Sequence, residues 1–185
     1  STPPDRKAAS GVAGRKFIAA FLLGAVAVVL SWVALIAGQL GNAHPDNVWV
    51  KEAYALKFAA AEKLGGQRKV LAVGGSATMF GVDSTQLALG LGVPVVNLGV
   101  NAGLGSYAVP AQVDGWIEPG DVVVMPLEYR LLLWDGVPSY VTLSWALEHP
   151  EALARWQLKT AFWGLLTLPL ERVVRGYRGF DLQSL

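Results

Sequence analysis

The stretch VLAVGGSATMFGVD, residues 70–83, decides the fold of this chain. A continuous apolar run leads into Gly74-Gly75-Ser76, and a segment that can start a helix follows. The run predicts a buried strand over Lys69–Gly74, and the glycines predict a tight turn into the helix. The Ser76 hydroxyl is therefore expected at the carboxyl end of a strand, where open α/β sheets hold their functional sites.

Two more strand-like runs follow along the chain. They span Val93–Leu98 and Asp121–Leu127, and like the first they are apolar without alternation. Unbroken apolar runs are typical of parallel strands that are covered on both faces. Helices are predicted between them, over Ser84–Leu91 and Ser106–Ile117. This order favours a doubly wound α/β unit over residues 67–136.

An excess of apolar residues is concentrated near the N-terminus. The 185 residues are 53% hydrophobic and 16% charged with a formal net charge of +1, so no nucleic-acid surface is expected. No residue from Phe17 to Gly38 is charged, a length that suffices for a helix across a bilayer. We predict a transmembrane helix over residues 16–40. The alternative is a cleavable signal peptide that ends near Gly41-Asn42-Ala43.

The charges on either side of this segment predict its orientation. Four basic residues precede it, Arg6, Lys7, Arg15 and Lys16. The positive-inside rule then places residues 1–15 in the cytoplasm and the main domain outside. The first dozen residues are predicted to form a short disordered tail. The expected location is a bacterial inner membrane, with the domain in the periplasm or at the cell exterior.

Helices are also predicted on both sides of the α/β unit. Residues 45–66 form a connecting helix with an apolar stripe expected at Trp49, Ala53, Leu56, Ala60 and Leu64. Residues 137–185 are predicted to be helical, over Ser139–Leu147 and Glu151–Leu168. The second of these helices has aromatic and basic residues around an apolar face. It therefore either packs on the sheet or lies in the membrane interface.

Ser76 is the residue whose setting suits a nucleophile. A serine needs a base to be activated, normally a histidine held by a carboxylate. The chain has two histidines. His44 follows the apolar segment and is expected in a solvated loop, whereas His149 lies between two helices, as a structural residue or as a base for Ser76. Glu128 and Arg130 are expected to form a structural ion pair.

The sequence offers no motif for a cofactor or a metal. It contains no cysteine, and GGSATMFG lacks the Lys-Ser/Thr pair of a phosphate-binding loop. The histidines and acids show no metal-ligand spacing. We therefore expect neither a cofactor nor a metal.

The order of these blocks resembles the opening half of SGNH, or GDSL-type, hydrolases, and especially their DltD-like membrane-anchored branch. Gly74-Gly75-Ser76 stands where the first block of that family lies, and Gly81-Val82-Asp83 continues it. Asn97-Leu98-Gly99 is similar to the second block, and Pro119–Tyr129 mirrors the segment after it. The resemblance covers about residues 65–135.

The resemblance implies a flavodoxin-like parallel sheet with Ser76 as nucleophile. It also implies an oxyanion site at the backbone of Ala102 or Gly103. Three features depart from the family. Gly75 replaces the aspartate of the first block, the oxyanion asparagine of the third block is missing, and Asp181 is not followed by the histidine of an Asp-x-x-His pair.

Two functions from different classes remain. The chain is either a catalytically inactive SGNH-like module, or the N-terminal part of a cell-envelope esterase or O-acyltransferase that uses Ser76. As an inactive module it would serve as an accessory or structural subunit of a membrane protein assembly. Its contacts would then be the lipid bilayer and partner subunits. The missing Asp-x-x-His pair favours the inactive module.

Overall fold

A computed structural model of the chain describes residues 6–133, 138–153 and 156–178. It divides into two units, residues 1–38 and 39–185. The first unit contains one long helix, α1, at Arg6–Ala37. Its Gly14–Ala37 part has a mean hydropathy of 2.6 and is long and apolar enough to cross a membrane.

Helix α1 confirms the helix predicted in the apolar segment and corrects one detail. The helix begins at Arg6, so residues 6–12 are helical and do not form the disordered tail predicted for them. Arginine, lysine and alanine, which open this stretch, all have high helix propensity. Residues 1–5 lie outside the described part of the chain.

The second unit is a mixed α/β fold that is mostly helical. Its elements follow in the order α2 Val48–Glu62, β1 Val70–Ala72, α3 Ser76–Gly81, α4 Ser84–Leu91, β2 Val95–Asn97, α5 Ala108–Ala111, β3 Val122–Val124, α6 Tyr129–Leu132, α7 Tyr140–Glu148, α8 Pro150–Leu153, α9 Leu158–Leu166 and α10 Leu170–Tyr177. Short 3-10 turns cover Pro45–Asn47, Ala102–Leu104 and Asp114–Trp116.

The three strands form a parallel sheet in the order β2-β1-β3. Val70 of β1 is in register with Val95 on one side and with Val122 on the other. Each strand lies inside a run that the sequence predicted and is shorter than that run. The sheet is therefore confirmed as parallel and small.

The prediction that both faces of every strand are covered is right for β1 and wrong for β3. All three residues of β1 are buried. Val122, Val123 and Val124 of β3 are instead 40%, 37% and 46% exposed. Both β2 and β3 are edge strands, but α2 and α4 pack against β2, whereas no helix among the described residues packs as extensively against β3.

The apolar stripe predicted along the connecting helix, α2, is confirmed only in part, since Ala53 and Leu64 of that stripe pack against the core. Val50, Tyr54 and Ala61 are buried, whereas Trp49 is 47% and Leu56 is 76% exposed. The helix reads VWVKEAYALKFAAAE, so apolar residues lie on several of its sides and the spacing fits two different stripes. The ring of Tyr54 stacks on the ring of Phe58, which also lies on α2, at a centroid distance of 5.3 Å. This contact accompanies the burial of Tyr54.

Two of the predicted helices are broken. The helix predicted over Ser106–Ile117 forms only α5 and the turn after it, since Pro110 cannot donate a hydrogen bond inside a longer helix. The helix predicted over Glu151–Leu168 is divided into α8 and α9, and Gln157 is extended between them. Residues 154–155 lie outside the described part.

A buried lysine joins the starts of β1 and β3. Lys69 is 2% exposed, and its Nζ lies 2.5 Å from Glu118 Oε2 and 3.0 Å from Asp121 Oδ2. Asp121 Oδ1 also accepts a hydrogen bond from the Lys69 backbone N–H at 3.1 Å. The hydrogen bond to Glu118 raises the pKa of Lys69 above its ordinary value, so the lysine stays charged.

Candidate functional site

Ser76 lies where the sequence predicts it. Strand β1 ends at Ala72, and Ser76 is the first residue of α3. Its side chain is exposed to solvent, and its hydroxyl makes no hydrogen bond to any residue that the structure describes. The hydroxyl is thus accessible, and no base within the described residues holds it.

A carboxylate occupies the turn around Ser76. Glu128 Oε2 accepts a hydrogen bond from Gly75 N–H at 3.1 Å, and Glu128 Oε1 accepts one from Ala77 N–H at 2.7 Å. Glu128 comes from the carboxyl end of β3, directly before α6. No ion pair joins it to Arg130, so the predicted pairing of these two residues is wrong. The two amide donors compete better for the carboxylate because they are fixed by the start of α3.

The presence of Glu128 changes what this turn can do chemically. Acyl-transfer enzymes direct backbone N–H groups at the oxygen that becomes negative in the transition state. Here the N–H groups of Gly75 and Ala77 already bind the negatively charged carboxylate of Glu128. An oxyanion beside them would meet repulsion from Glu128, whose carboxylate caps the start of α3 in this arrangement.

The predicted oxyanion segment does lie against the Ser76 turn. A Cβ placed on Gly75 would be 2.5 Å from both Ala102 Cβ and Ala102 N. The Gly103 N–H donates to Asn101 Oδ1 at 2.7 Å, and the Gly103 carbonyl accepts from Ser139 Oγ at 2.7 Å. The structure thus brings Ala102 to the turn and engages Gly103 in local hydrogen bonds, while an oxyanion role for either stays a prediction.

Asn97 holds the turn from the side of β2, a role that sequence reasoning missed. Its Nδ2 donates to the carbonyls of Thr78 and Val82, both at 2.9 Å, and its Oδ1 accepts from Gly99 N–H at 2.9 Å. The Thr78 hydroxyl in turn donates to Pro126 O at 3.0 Å. An asparagine at the end of a strand, two residues before Gly99, was the available signal, and here it fixes the end of α3.

The structure does not place either histidine as a base for Ser76. His44 is 3% exposed, so its prediction as a solvated residue is wrong. Burial lowers the pKa of His44 below its ordinary value. His149 stacks on Trp145 at a centroid distance of 4.4 Å, and its Nδ1 lies 3.2 Å from Glu151 Oε1. No contact joins His149 to Ser76 among the described residues.

His44 is buried because the segment after α1 is bound by later helices. Its backbone N–H donates to Glu148 Oε2 at 3.1 Å. Asn47 Nδ2 donates to the same oxygen at 2.8 Å and to Ser144 O at 3.0 Å. These bonds join residues about a hundred positions apart, which local sequence patterns do not reveal.

The described residues contain no group of three or more histidine, aspartate and glutamate side chains that could hold a metal ion. Asp181, the nearest sequence counterpart of the family's C-terminal aspartate, lies outside the described part. Comparisons of the chain with protein-family models, with curated proteins and with solved structures found no match.

Proposed function

We propose that this chain is a membrane-anchored accessory module without hydrolytic activity. The observation that carries the proposal is the Glu128 carboxylate on the N–H groups of Gly75 and Ala77. A catalytic serine turn needs such donors for a developing oxyanion. With Glu128 bound there and no base beside Ser76 in the part of the chain that the structure describes, the turn would serve the stability of the domain.

The domain is proposed to be SGNH-like in fold. The order β2-β1-β3 supports this, because flavodoxin-like doubly wound sheets contain the same order of their first three strands. The position of Ser76 after β1 and of Ala102 against that turn is a second support. The family's serine-bearing turn would then be retained here as a scaffold.

Helix α1 is proposed to anchor the module in a bacterial inner membrane. Its Gly14–Ala37 part suffices for one span. The four basic residues on its N-terminal side support a cytoplasmic N-terminus, and the second unit then lies on the outer side.

The C-terminal helices are proposed to lie on the bilayer surface. Gln39 is the second residue after Ala37, so the chain keeps it within about 7 Å of the end of α1. Gln39 Nε2 donates to the backbone carbonyl of Val173 in α10 at 2.6 Å. Asp46 binds Arg172 and Arg175 of the same helix, at 2.8 and 3.0 Å. Helix α10 is therefore bound to Gln39 and Asp46, which follow the proposed membrane span in the sequence.

An exposed apolar face on α9 supports the same contact. Leu158 is 86%, Phe162 is 58% and Leu166 is 44% exposed, and these residues recur every four positions on one side of the helix. Trp163 and Lys159 flank them. Aromatic, aliphatic and basic residues in this arrangement are typical of helices that lie at the boundary between headgroups and acyl chains.

Single-cysteine labelling tests this membrane contact cleanly, because the chain has no cysteine of its own. A nitroxide at Phe162→Cys, in the full chain in lipid nanodiscs, is expected to be more accessible to oxygen than to a water-soluble nickel chelate. Labels at Leu89→Cys and Val28→Cys serve as the aqueous and membrane references, since both side chains are at least 70% exposed.

The two references separate the possible failures. If the label at position 162 behaves like the one at 89 while that at 28 is in lipid, the surface contact is refuted and the anchor stands. If the label at 28 is also aqueous, the anchor itself is refuted.

A partner subunit is proposed to cover the open edge of the sheet. Val122, Val123 and Val124 are exposed there, and an apolar edge strand is a site at which another chain can add.

Ester hydrolysis and co-purification test the accessory function together. The wild-type chain and Ser76→Ala are expected to show the same background rate on a short-chain p-nitrophenyl ester, and both should extract in mild detergent with a larger membrane complex. Ser76 retains an accessible hydroxyl, which favours the esterase or O-acyltransferase as the second candidate. Hydrolysis that disappears in Ser76→Ala would establish that candidate, and extraction as a lone monomer would contradict the accessory function.

A further inference from the structure

His44 lies in a buried junction between the segment after α1 and two later helices. It is 3% exposed and directly precedes the 3-10 turn Pro45–Asn47. Its backbone N–H donates to Glu148 of α7. A Cβ placed on Gly176 of α10 would lie only 3.1 Å from the ring atom Cδ2 of His44. The imidazole is therefore packed directly against α10.

The hydrogen bonds of the His44 side chain require its neutral form. Its Nδ1 accepts from the backbone N–H of Asp46 at 3.2 Å and thereby caps the 3-10 turn. An imidazole nitrogen accepts a hydrogen bond only while it carries no proton, so the hydrogen of the neutral ring is on Nε2. The ring is also hydrogen-bonded to the backbone of Arg172. A proton on Nδ1 would set two N–H groups against each other and remove the cap.

Asp46 connects this turn with α10. Its Oδ2 lies 2.8 Å from Arg172 Nη1, and its Oδ1 lies 3.0 Å from Arg175 Nε. The same Oδ2 lies 3.9 Å from His44 Nδ1. A charged imidazole would therefore compete with both arginines for one carboxylate, in addition to losing the cap of the turn that carries it.

The charges that face His44 do not cancel the effect of its burial. Burial lowers the pKa of His44 and outweighs the attraction of Asp46 and Glu148, while Arg175 also disfavours the charged ring. Burial alone would raise the pKa of Glu148, but its hydrogen bonds, that from Lys51 foremost, lower it, so this acid keeps its charge at mildly acidic pH. A closed junction therefore takes up a proton at His44 less readily than an open one. Opening is favoured as the pH falls below 6.5, the ordinary pKa of histidine.

We propose that His44 is a proton-sensitive switch that releases α10 from the segment after α1 at mildly acidic pH. The ratio of closed to open junction falls at most about tenfold between pH 8 and pH 5.5, the limit for a histidine that is protonated only in the open state. Histidine is the side chain whose ordinary pKa lies in this range, and the chain has two, His44 and His149. The switch goes beyond the proposed accessory function and does not depend on it.

Amide hydrogen exchange of the full chain in detergent measures this opening. Protection is determined at pH 8 and pH 5.5 and corrected for the intrinsic exchange rate at each pH. The amides of α10 are expected to lose protection, by at most about tenfold, while those of β1 stay unchanged, because a local opening leaves the core intact. Unchanged protection of α10 would overturn the proposal. Equal losses in α10 and β1 would also overturn it, since His44 would then act only on the stability of the whole domain.

Three variants make the result specific to this junction. His44→Asn keeps an acceptor for the Asp46 N–H but cannot be protonated in this range, so α10 should be equally protected at both pH values. His149→Gln should respond to pH like the wild type. Asp46→Asn removes the carboxylate that Arg172 and Arg175 share, so it should lower the protection of α10 already at pH 8. A pH response that persists in His44→Asn, one that disappears in His149→Gln, or wild-type protection in Asp46→Asn would overturn the proposal.

A titration of the wild-type chain decides the question even if His44→Asn fails to fold. The imidazole nitrogens are labelled with ¹⁵N, and His149→Gln identifies the signal of His44. The His44 ring is expected to titrate below pH 6.5. Titration at 6.5 or above would remove the driving force for opening and overturn the switch.

Discussion

Replacing Gly75 with alanine is expected to lower the free energy of unfolding by about 3 kcal/mol, near the upper end for overpacking. The added Cβ would lie 2.5 Å from Ala102 Cβ and from the Ala102 backbone nitrogen, and it would also meet Glu128 Oε1. The backbone at Gly75 and the backbone at Ala102 cannot move apart freely. Asn97 fixes the end of α3, and the turn at Ala102 has its own hydrogen bonds. Urea unfolding of the full chain in detergent, followed by near-ultraviolet circular dichroism, measures the loss.

Gly81, the last residue of the helix that begins directly after Gly75, provides the matched control. A Cβ on Gly81 meets no atom within 4 Å. Gly81→Ala is therefore expected to leave stability unchanged or to raise it by about 0.5 kcal/mol through the lower entropy of the unfolded chain. Equal effects at positions 75 and 81 would contradict the close packing of the two turns.

The same packing bears on the proposed likeness to SGNH hydrolases. Aspartate is usual in the first block of SGNH hydrolases, at the position of Gly75. Gly75→Asp should be at least as destabilising as Gly75→Ala, because a larger side chain would begin from the same crowded Cβ position. A well-folded Gly75→Asp variant would show that the turn can open to the arrangement of a hydrolase.

Features set by neighbours in the sequence could be predicted. Helix α4 has a local sequence signal at each end, Asp83 before its first residue and Gly92 after its last, and both act as expected. The Asp83 carboxylate accepts from the N–H groups of Thr85 and Gln86, and Gly92 ends the helix with a φ of +69°. The apolar run before Ser76 likewise predicts β1 and the turn after it.

Features set by distant residues could not be predicted. The stripe on α2 depended on which of several apolar faces the core would select, and the exposure of β3 depended on which strands the helices would cover. Glu128 binds Gly75 and Ala77 across 53 and 51 positions of sequence. His44 and Asn47 reach Glu148 over 104 and 101 positions, so no local pattern indicates that His44 is buried.

Replacing Glu128 with alanine is expected to lower the free energy of unfolding by about 2 kcal/mol. The side chain makes two charge-assisted hydrogen bonds to backbone N–H groups, and each such bond contributes about 1.5–3 kcal/mol when buried. Glu128 is half-buried, which reduces the sum by solvent screening. Glu128→Gln keeps one acceptor oxygen and loses the charge, so its loss should be about half as large. The measurement is the same urea unfolding experiment.

Glu52→Ala is the control for removing a glutamate, because Glu52 is exposed on α2 and its effect should stay within about 0.5 kcal/mol. The Glu128 variants also test chemistry at Ser76. Removing the carboxylate frees the N–H groups of Gly75 and Ala77, yet no base is thereby supplied to the serine. We therefore expect no gain in ester hydrolysis from Glu128→Ala, even where it folds. A gain that depends on Ser76 would mean that Glu128 restrains a working nucleophile, and the accessory function would have to give way to a regulated esterase.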